Sequence, residues 1–262
     1  MYNIIFWFVA FAACVIGRIC GLGGGVIIKP VLDSFGVMSV ASVSFLSACT
    51  VLCMTGWSVG KAFVKKDVEL DIRISTALAM GSLFGGLIGK RLFALISAAA
   101  ANPDTVGSVQ AAVLVVMLLI SMAFTLKRDQ IQTHHIQSLP LSAFIGACLG
   151  LVSAFIGGGS GPINMVCLAF LFSMPTKAAA VVSLYIILPA QAASIAQTLL
   201  THSVPEFSVF AMAGMVVGAI AGSEVGRKIN KHISEETVSR CFKVLIAALI
   251  LLNVYNFIQY IA

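Results

Sequence analysis

The chain has 262 residues, of which 60% are hydrophobic and only 10% charged. A soluble domain carries about 25% charged residues, so a water-soluble globular fold is excluded. The net charge of +6 does not argue for nucleic acid, because excess Lys and Arg in membrane chains gather in cytoplasmic loops.

The first hydrophobic segment covers roughly residues 4–20. It has no basic n-region and another hydrophobic segment follows at once, which predicts a retained membrane segment and not a signal peptide. It runs into "GLGGGVIIKP", Gly21 to Pro30. Glycine is about 1 kcal/mol worse than alanine in a helix, so Gly23, Gly24 and Gly25 predict a break. The next segment, 25–37, is too short to cross a hydrocarbon core of about 30 Å at 1.5 Å per residue. It predicts a half-helix, a strongly tilted helix or the return arm of a hairpin. Segments 39–61, 73–96 and 107–126 complete the first half. After the polar stretch "KRDQIQTHHIQSLP", Lys127 to Pro140, the second half repeats the pattern at 140–156, 161–173, 176–200, 206–229 and 237–260. The first of these ends in "FIGGGSGPIN", Phe155 to Asn164.

Repeats with a fixed spacing point to duplication. Setting Gly23–Gly25 on Gly157–Gly159 gives an offset of 134. After a two-residue shift, "MSVASVSFLS" faces "MPTKAAAVVS", with Ser47 opposite Ser183. Further on, "GSLFGGLIGKRL" faces "GAIAGSEVGRKI"; both carry glycine at every fourth position and then two basic residues. The sequence therefore predicts an N-terminal membrane repeat over 1–130, a linker over 131–139 and a C-terminal repeat over 140–262.

Charge orients the copies. With an odd number of crossings per half, Lys61, Lys65, Lys66, Arg73, Lys127, Arg128, Lys177, Lys228 and Lys231 share one side. Both termini and the loops around Asn102 and His202 take the other, and only Lys90 and Arg91 sit awkwardly. The positive-inside rule favours this arrangement, with the termini outside the cytoplasm. The fold class expected is all-α: a polytopic membrane protein of two inverted repeats, each with a broken helix or helical hairpin at its glycine motif. Inverted repeats with broken helices near the midplane are a recurring transporter design.

Broken helices in a membrane sit inside protein or beside water, and a helix start offers N–H donors and a positive dipole end. Two such starts would make a compact anion site. The candidate binding residues are Gly23, Gly24, Gly25, Gly157, Gly158 and Gly159, with hydroxyls from Ser47, Ser160 and Ser183 and positive charge from Lys29. Two matching clusters favour the site over the bland alternative that the glycines merely let helices pack closely. Lys29 has a rival partner in Asp33, four residues on. Arg18 either serves the site or snorkels to the surface. Thr50 reads as a bond to the carbonyl one turn back. The glycine rows at Gly81, Gly85, Gly89 and at Gly214, Gly218, Gly222 read as helix packing. Glu224 is expected to pair with Lys228, and His134 and His135 to be solvated in the linker. The seven cysteines show no metal spacing, and no cofactor or metal is expected.

"GLGGGVIIKPVL" followed by "SVASVSFLSACT", repeated as "IGGGSGPINMVCL" followed by "KAAAVVSLY", resembles the sulfite exporter TauE/SafE family over nearly the whole chain. The resemblance implies a small permease for sulfite, sulfonates such as sulfoacetate, or related carboxylate anions. It implies about eight spans, where the charge pattern asks for an odd count per half. Lys29, Gly161-Pro162 and Asn164 depart from the family pattern. The partners expected are a small anionic substrate and the lipid bilayer, with no nucleic acid; a coupled proton or sodium ion and a homodimer are left open.

Two other classes fit parts of the sequence. "GGSG", Gly158 to Gly161, matches the nucleophile motif of rhomboid-type intramembrane proteases, with Ser160 as nucleophile and His202 as base. Against this, His202 lies in the polar loop "THSVPE" and the offset of 134 sets Val26 opposite Ser160. A membrane assembly factor without transport is the third class.

Overall fold

The computed structural model describes residues 2–65, 71–100, 103–127 and 131–261. Lys66, the loop around Asn102 and Arg128, which entered the charge argument, lie outside the described residues. Ten described helices follow in order: α1 Tyr2–Cys20, α2 Gly25–Ser34, α3 Val40–Lys65, α4 Ile72–Ala99, α5 Pro103–Leu126, α6 Leu139–Ile156, α7 Gly161–Phe172, α8 Thr176–Leu200, α9 Val209–His232 and α10 Glu235–Ile261. No strand occurs among the described residues. Eight of the helices are long and apolar enough to cross a membrane, and α2 and α7 are the short ones. The chain is a multi-pass integral membrane protein.

Local chemistry sets the helix ends. Asp71 caps α4 by accepting from the N–H groups of Arg73 and Ile74 at 3.0 and 3.2 Å, and Ser208 caps α9 through Ala211 N–H. The ends of α1 and α6 fall at Gly21 (φ +69°) and Gly157 (φ +74°), left-handed conformations that glycine adopts without cost. Past Gly21 the chain folds back. Leu22 N–H donates to Gly17 O at 2.9 Å, Gly24 lies against Cys14, and the Phe35 ring at the end of α2 is 6.3 Å from Phe6 near the start of α1. The short segment is thus the return arm of a hairpin.

The break positions correct the repeat alignment. α1 ends at Cys20 and α6 at Ile156; α2 starts at Gly25 and α7 at Gly161. The left-handed glycines are Gly21 and Gly23 in one copy, Gly157 and Gly159 in the other. All match at an offset of 136, the same as Ser47 and Ser183, so the offset of 134 at the triple glycines was wrong. Runs of identical glycines can be slid against each other; backbone conformation cannot. Ser160 therefore stands opposite Gly24, not Val26.

Glycine rows fix how the helices meet. A Cβ added at Gly81, Gly85 or Gly89 of α4 would strike the carbonyls of Ala143, Ala147 and Leu151 of α6, in that order. The helices therefore run parallel with backbones in contact, the packing small residues permit in membranes. At Gly218, Gly222 and Gly226 of α9 the atoms met belong to Trp7, Phe11 and Val15 of α1. These are the same contacts with the halves exchanged. α4 is also parallel to α8, through Ser82 with Ile186 and Gly86 with Ala190. α3 is antiparallel to α8, since Phe63 near the end of α3 meets Tyr185 of α8, while Phe45 near the start of α3 meets Phe207, beyond the end of α8. α10 is antiparallel to α5, with Tyr260 at Gly107.

These directions give the molecule two faces. One carries the start of α1 and the end of α10. The other carries the linker, where His134 and Ile136 N–H groups bond the carbonyls of Phe170 and Leu171 at the end of α7. The ends of α3, α5 and α9 and the starts of α4 and α8 share this linker face. It holds Lys61, Lys65, Arg73, Lys127, Lys177, Lys228 and Lys231.

Candidate functional site

The two glycine breaks meet at the centre. A Cβ on Gly25 would overlap Gly158 O, and one on Gly158 would lie 2.6 Å from Gly25 O. The counterpart contact sets Gly161 against the backbone of Leu22. The close-packing explanation of these glycines is therefore true of the geometry. It does not compete with a binding role, because it brings two helix starts, α2 and α7, to one place. All residues from Gly21 to Pro30 and from Ser153 to Pro162 are buried.

Two side chains lie against the breaks, and one of them, Ile187, reaches both. Val51 of α3 touches Gly23 and Gly25, and Ile187 of α8 touches Gly23 and Gly159. One turn before each stands a serine: Ser47 before Val51, Ser183 before Ile187. Both are 0% exposed, and neither hydroxyl has a hydrogen-bond partner. A buried unmade hydrogen bond costs about 1–3 kcal/mol, so two at matching positions ask for an explanation. By contrast, Thr50 donates to Leu46 O at 2.7 Å, the local bond expected of it.

Ser160 is differently placed. Its Oγ lies 3.1 Å from Leu149 O and 2.7 Å from Asn164 Oδ1, while Asn164 Nδ2 has no partner. A hydroxyl carries one proton. With the Asn164 amide atoms exchanged, an orientation its hydrogen-bond partners decide, Nδ2 donates to Ser160 and Ser160 donates to Leu149. The Ser160 hydroxyl is then engaged. His202 is exposed in the turn after α8, and the structure does not bring it to Ser160.

Lys29 is 1% exposed and bonds Asp33 Oδ2 at 2.5 Å. The rival partner named from sequence is thus the one it holds, while its Cβ lies 3.5 Å from where a Cβ of Gly158 would stand. Arg18 is 3% exposed, buried and not extended to the surface. Glu224 pairs with Arg227 at 2.6 Å and accepts from Trp57 Nε1 at 3.3 Å. The expected Lys228 partner is corrected: Lys228 is exposed, whereas Arg227 lies on the Glu224 side of α9.

Sequence reasoning missed the groups that brace the breaks. Gln110 of α5 is 0% exposed and donates to Phe155 O at 2.6 Å, at the end of α6. Gln191 donates to Ser153 O and Oγ at 3.3 and 3.2 Å. The Oε1 atoms of both glutamines have no partner. On the first break, Asn230 donates to Ile19 O at 2.9 Å, and Gly24 N–H points at Met54 Sδ, 3.3 Å away. Each brace comes from a different helix, so no local motif announces it.

Hairpins meeting at glycine breaks inside a bundle of long apolar helices, with buried polar groups around them, are the build of a membrane transporter. The sequence profile of the sulfite exporter TauE/SafE family matches residues 6–252, and the chain belongs to that family. It is 23% identical over 255 residues to the probable membrane transporter protein YunE of Bacillus subtilis (strain 168), covering 88% of this chain and 89% of that protein. No solved structure matches it.

Proposed function

We propose that the chain is a secondary transporter for a small sulfur-containing or organic anion, such as sulfite, a sulfonate or sulfoacetate, held between the two glycine breaks. The observation that carries this is the pair of fully buried, unpartnered hydroxyls of Ser47 and Ser183 at matching positions, each one turn before a side chain that lies against the breaks. An oxyanion would accept from both at once. The N–H groups around Gly24, Gly25, Gly158 and Gly159 add donors without a full charge, so the ion can also be released. Gly24 N–H is held by sulfur, a weak acceptor that an oxyanion displaces. In this reading Lys29 supplies positive potential while its charge stays balanced by Asp33, and Ser160 fixes the start of α7.

The same reading makes the halves inverted repeats that work by alternating access. Support comes from the parallel pairs α4–α6 and α1–α9, since α6 is the counterpart of α1 and α9 of α4. The lysines of the linker face support a cytoplasmic linker and external termini. A cysteine placed at Ser203 should then react with an impermeant thiol reagent on intact cells, and one at Lys127 only after permeabilisation.

The decisive experiment is a thermal-shift screen of the purified protein against sulfite, sulfoacetate, thiosulfate and small carboxylates, followed by uptake of the binders into vesicles. The double variant Ser47→Ala, Ser183→Ala should fold and lose affinity at least tenfold. Unchanged affinity in that variant moves the anion elsewhere, and no shift with any anion removes the transport reading.

A further inference from the structure

The charge pattern left Lys90 on the face opposite the other cations. Its surroundings give that position a use. Lys90 lies on α4, half-buried, with Nζ over the Phe93 ring at 4.8 Å. It lines a small internal cavity with Ser44, Ser194, Thr198, Phe93 and Gly157. Among the described residues no carboxylate pairs with Lys90. The Ser44 hydroxyl, on a residue 5% exposed, has no partner. Gly157 belongs to the second glycine break, and a Cβ there would stand 3.1 Å from Ser44 Oγ. Among the described residues, a cation without a carboxylate partner and a buried hydroxyl without an acceptor thus share one space at the edge of the second break.

The counterpart position shows what is unusual. At the offset of 137 that holds along α4 and α9, Lys90 matches Arg227, Leu87 matches Glu224 and Phe93 matches Asn230. Arg227 is neutralised by Glu224, and Asn230 is tied to Ile19 O. On the α4 side the carboxylate is a leucine and the amide a phenylalanine. Among the described residues Lys90 therefore lacks the carboxylate partner that Arg227 has.

Phe93 also lines a second, larger cavity of about 270 Å³ with Ser39, Ala41, Ser97, Ala100 and Val106, at the face of the termini. Phe93 is the residue the two linings share, and the Lys90 cavity measures about 10 Å³, room for about one water.

We propose that the Lys90 cavity is a second station for the transported oxyanion, on the path between the face of the termini and the glycine breaks, with Phe93 as its lid. The proposal rests on the transport reading above. The anion is held by the Lys90 ammonium and the Ser44 hydroxyl once Phe93 swings off Lys90. Charge-assisted hydrogen bonds are about twice as strong as neutral ones, so Lys90 selects anions before they reach the uncharged donors of the breaks.

The test uses purified full-length protein in vesicles and sulfite and sulfoacetate as probes. Lys90→Gln should raise the half-saturating anion concentration about tenfold to a hundredfold, the size of a lost hydrogen bond to a charged group; Lys90→Arg should restore most of it. Ser44→Ala separates this from a folding effect. It removes an unsatisfied buried hydroxyl, so it should unfold at the same or a higher temperature without anion, yet bind anion more weakly. Normal affinity in folded Lys90→Gln and in Ser44→Ala, with the native chain transporting, overturns the second station and leaves the transport reading intact. A native chain that neither binds nor moves any anion of the panel overturns the transport reading itself.

Discussion

The two glycine breaks share one backbone and differ in what surrounds it. Both turn at left-handed glycines, Gly21 and Gly23 or Gly157 and Gly159, and both put a glycine at the start of a short helix, Gly25 or Gly161. The first carries a buried ion pair on its short helix, Lys29 with Asp33. The second has Met165 and Ala169 at those positions. The second has no such pair and is braced by two neutral amides, Gln110 and Gln191 on the end of α6, where the first has one, Asn230 on Ile19 O. The shared part is set by sterics, because the breaks touch backbone to backbone and any side chain would separate them. The differing part is polar, so the charge near the centre comes from one copy alone. Two matching breaks thus carry unlike polar surroundings.

The strongest way to break this comparison is to fill the shared contact. Gly25→Val and Gly161→Val each force a branched side chain into backbone of the other break. Both should exceed the roughly 3 kcal/mol of ordinary overpacking and yield little monodisperse protein on size exclusion. If one folds normally and the other does not, the breaks are not structural equivalents.

The ion pair comes next. Lys29→Met alone leaves Asp33 buried without its partner, which costs about 3–5 kcal/mol. The double change Lys29→Met, Asp33→Ala installs the residues of the second copy and should recover to within about 1 kcal/mol. Thermal unfolding measures both. If the double variant is stable but binds anion at least tenfold more weakly, the pair serves the ligand and not only the fold.

Smaller effects sharpen the contrast between the braces. Gln110→Leu removes a fully buried donor from Phe155 O and should cost about 1–3 kcal/mol. Asn230→Leu should cost less, because Asn230 is half-buried and water can replace part of its bond. An equal loss at both would mean that the first break is as dry as the second. The least effect is expected at Met54→Leu. It deprives Gly24 N–H only of a sulfur acceptor, so less than about 1 kcal/mol should be lost, with anion binding kept. Loss of binding there would assign the sulfur a positive role.

Composition alone determined the solvent this protein lives in. Helix and break positions followed from propensity and apolar run length, which are local: α7 and α8 begin at the residues read from sequence, and α2 begins at Gly25. The pairing of Ser47 with Ser183 was legible because it needed only a constant spacing. The tertiary structure decided whatever depends on what stands across a gap. It moved the repeat offset from 134 to 136, because identical glycines carry no register and dihedral angles do. It gave Glu224 to Arg227, because side-chain direction on a helix and the neighbouring Trp57 select the partner, not spacing alone. It brought Gln110 from α5 and Asn230 from α9 to the ends of other helices, contacts between residues with no local pattern to announce them. It also turned Lys90 from an exception in the charge count into the wall of a cavity, since a charge misplaced along the chain acquires meaning only from the groups that face it.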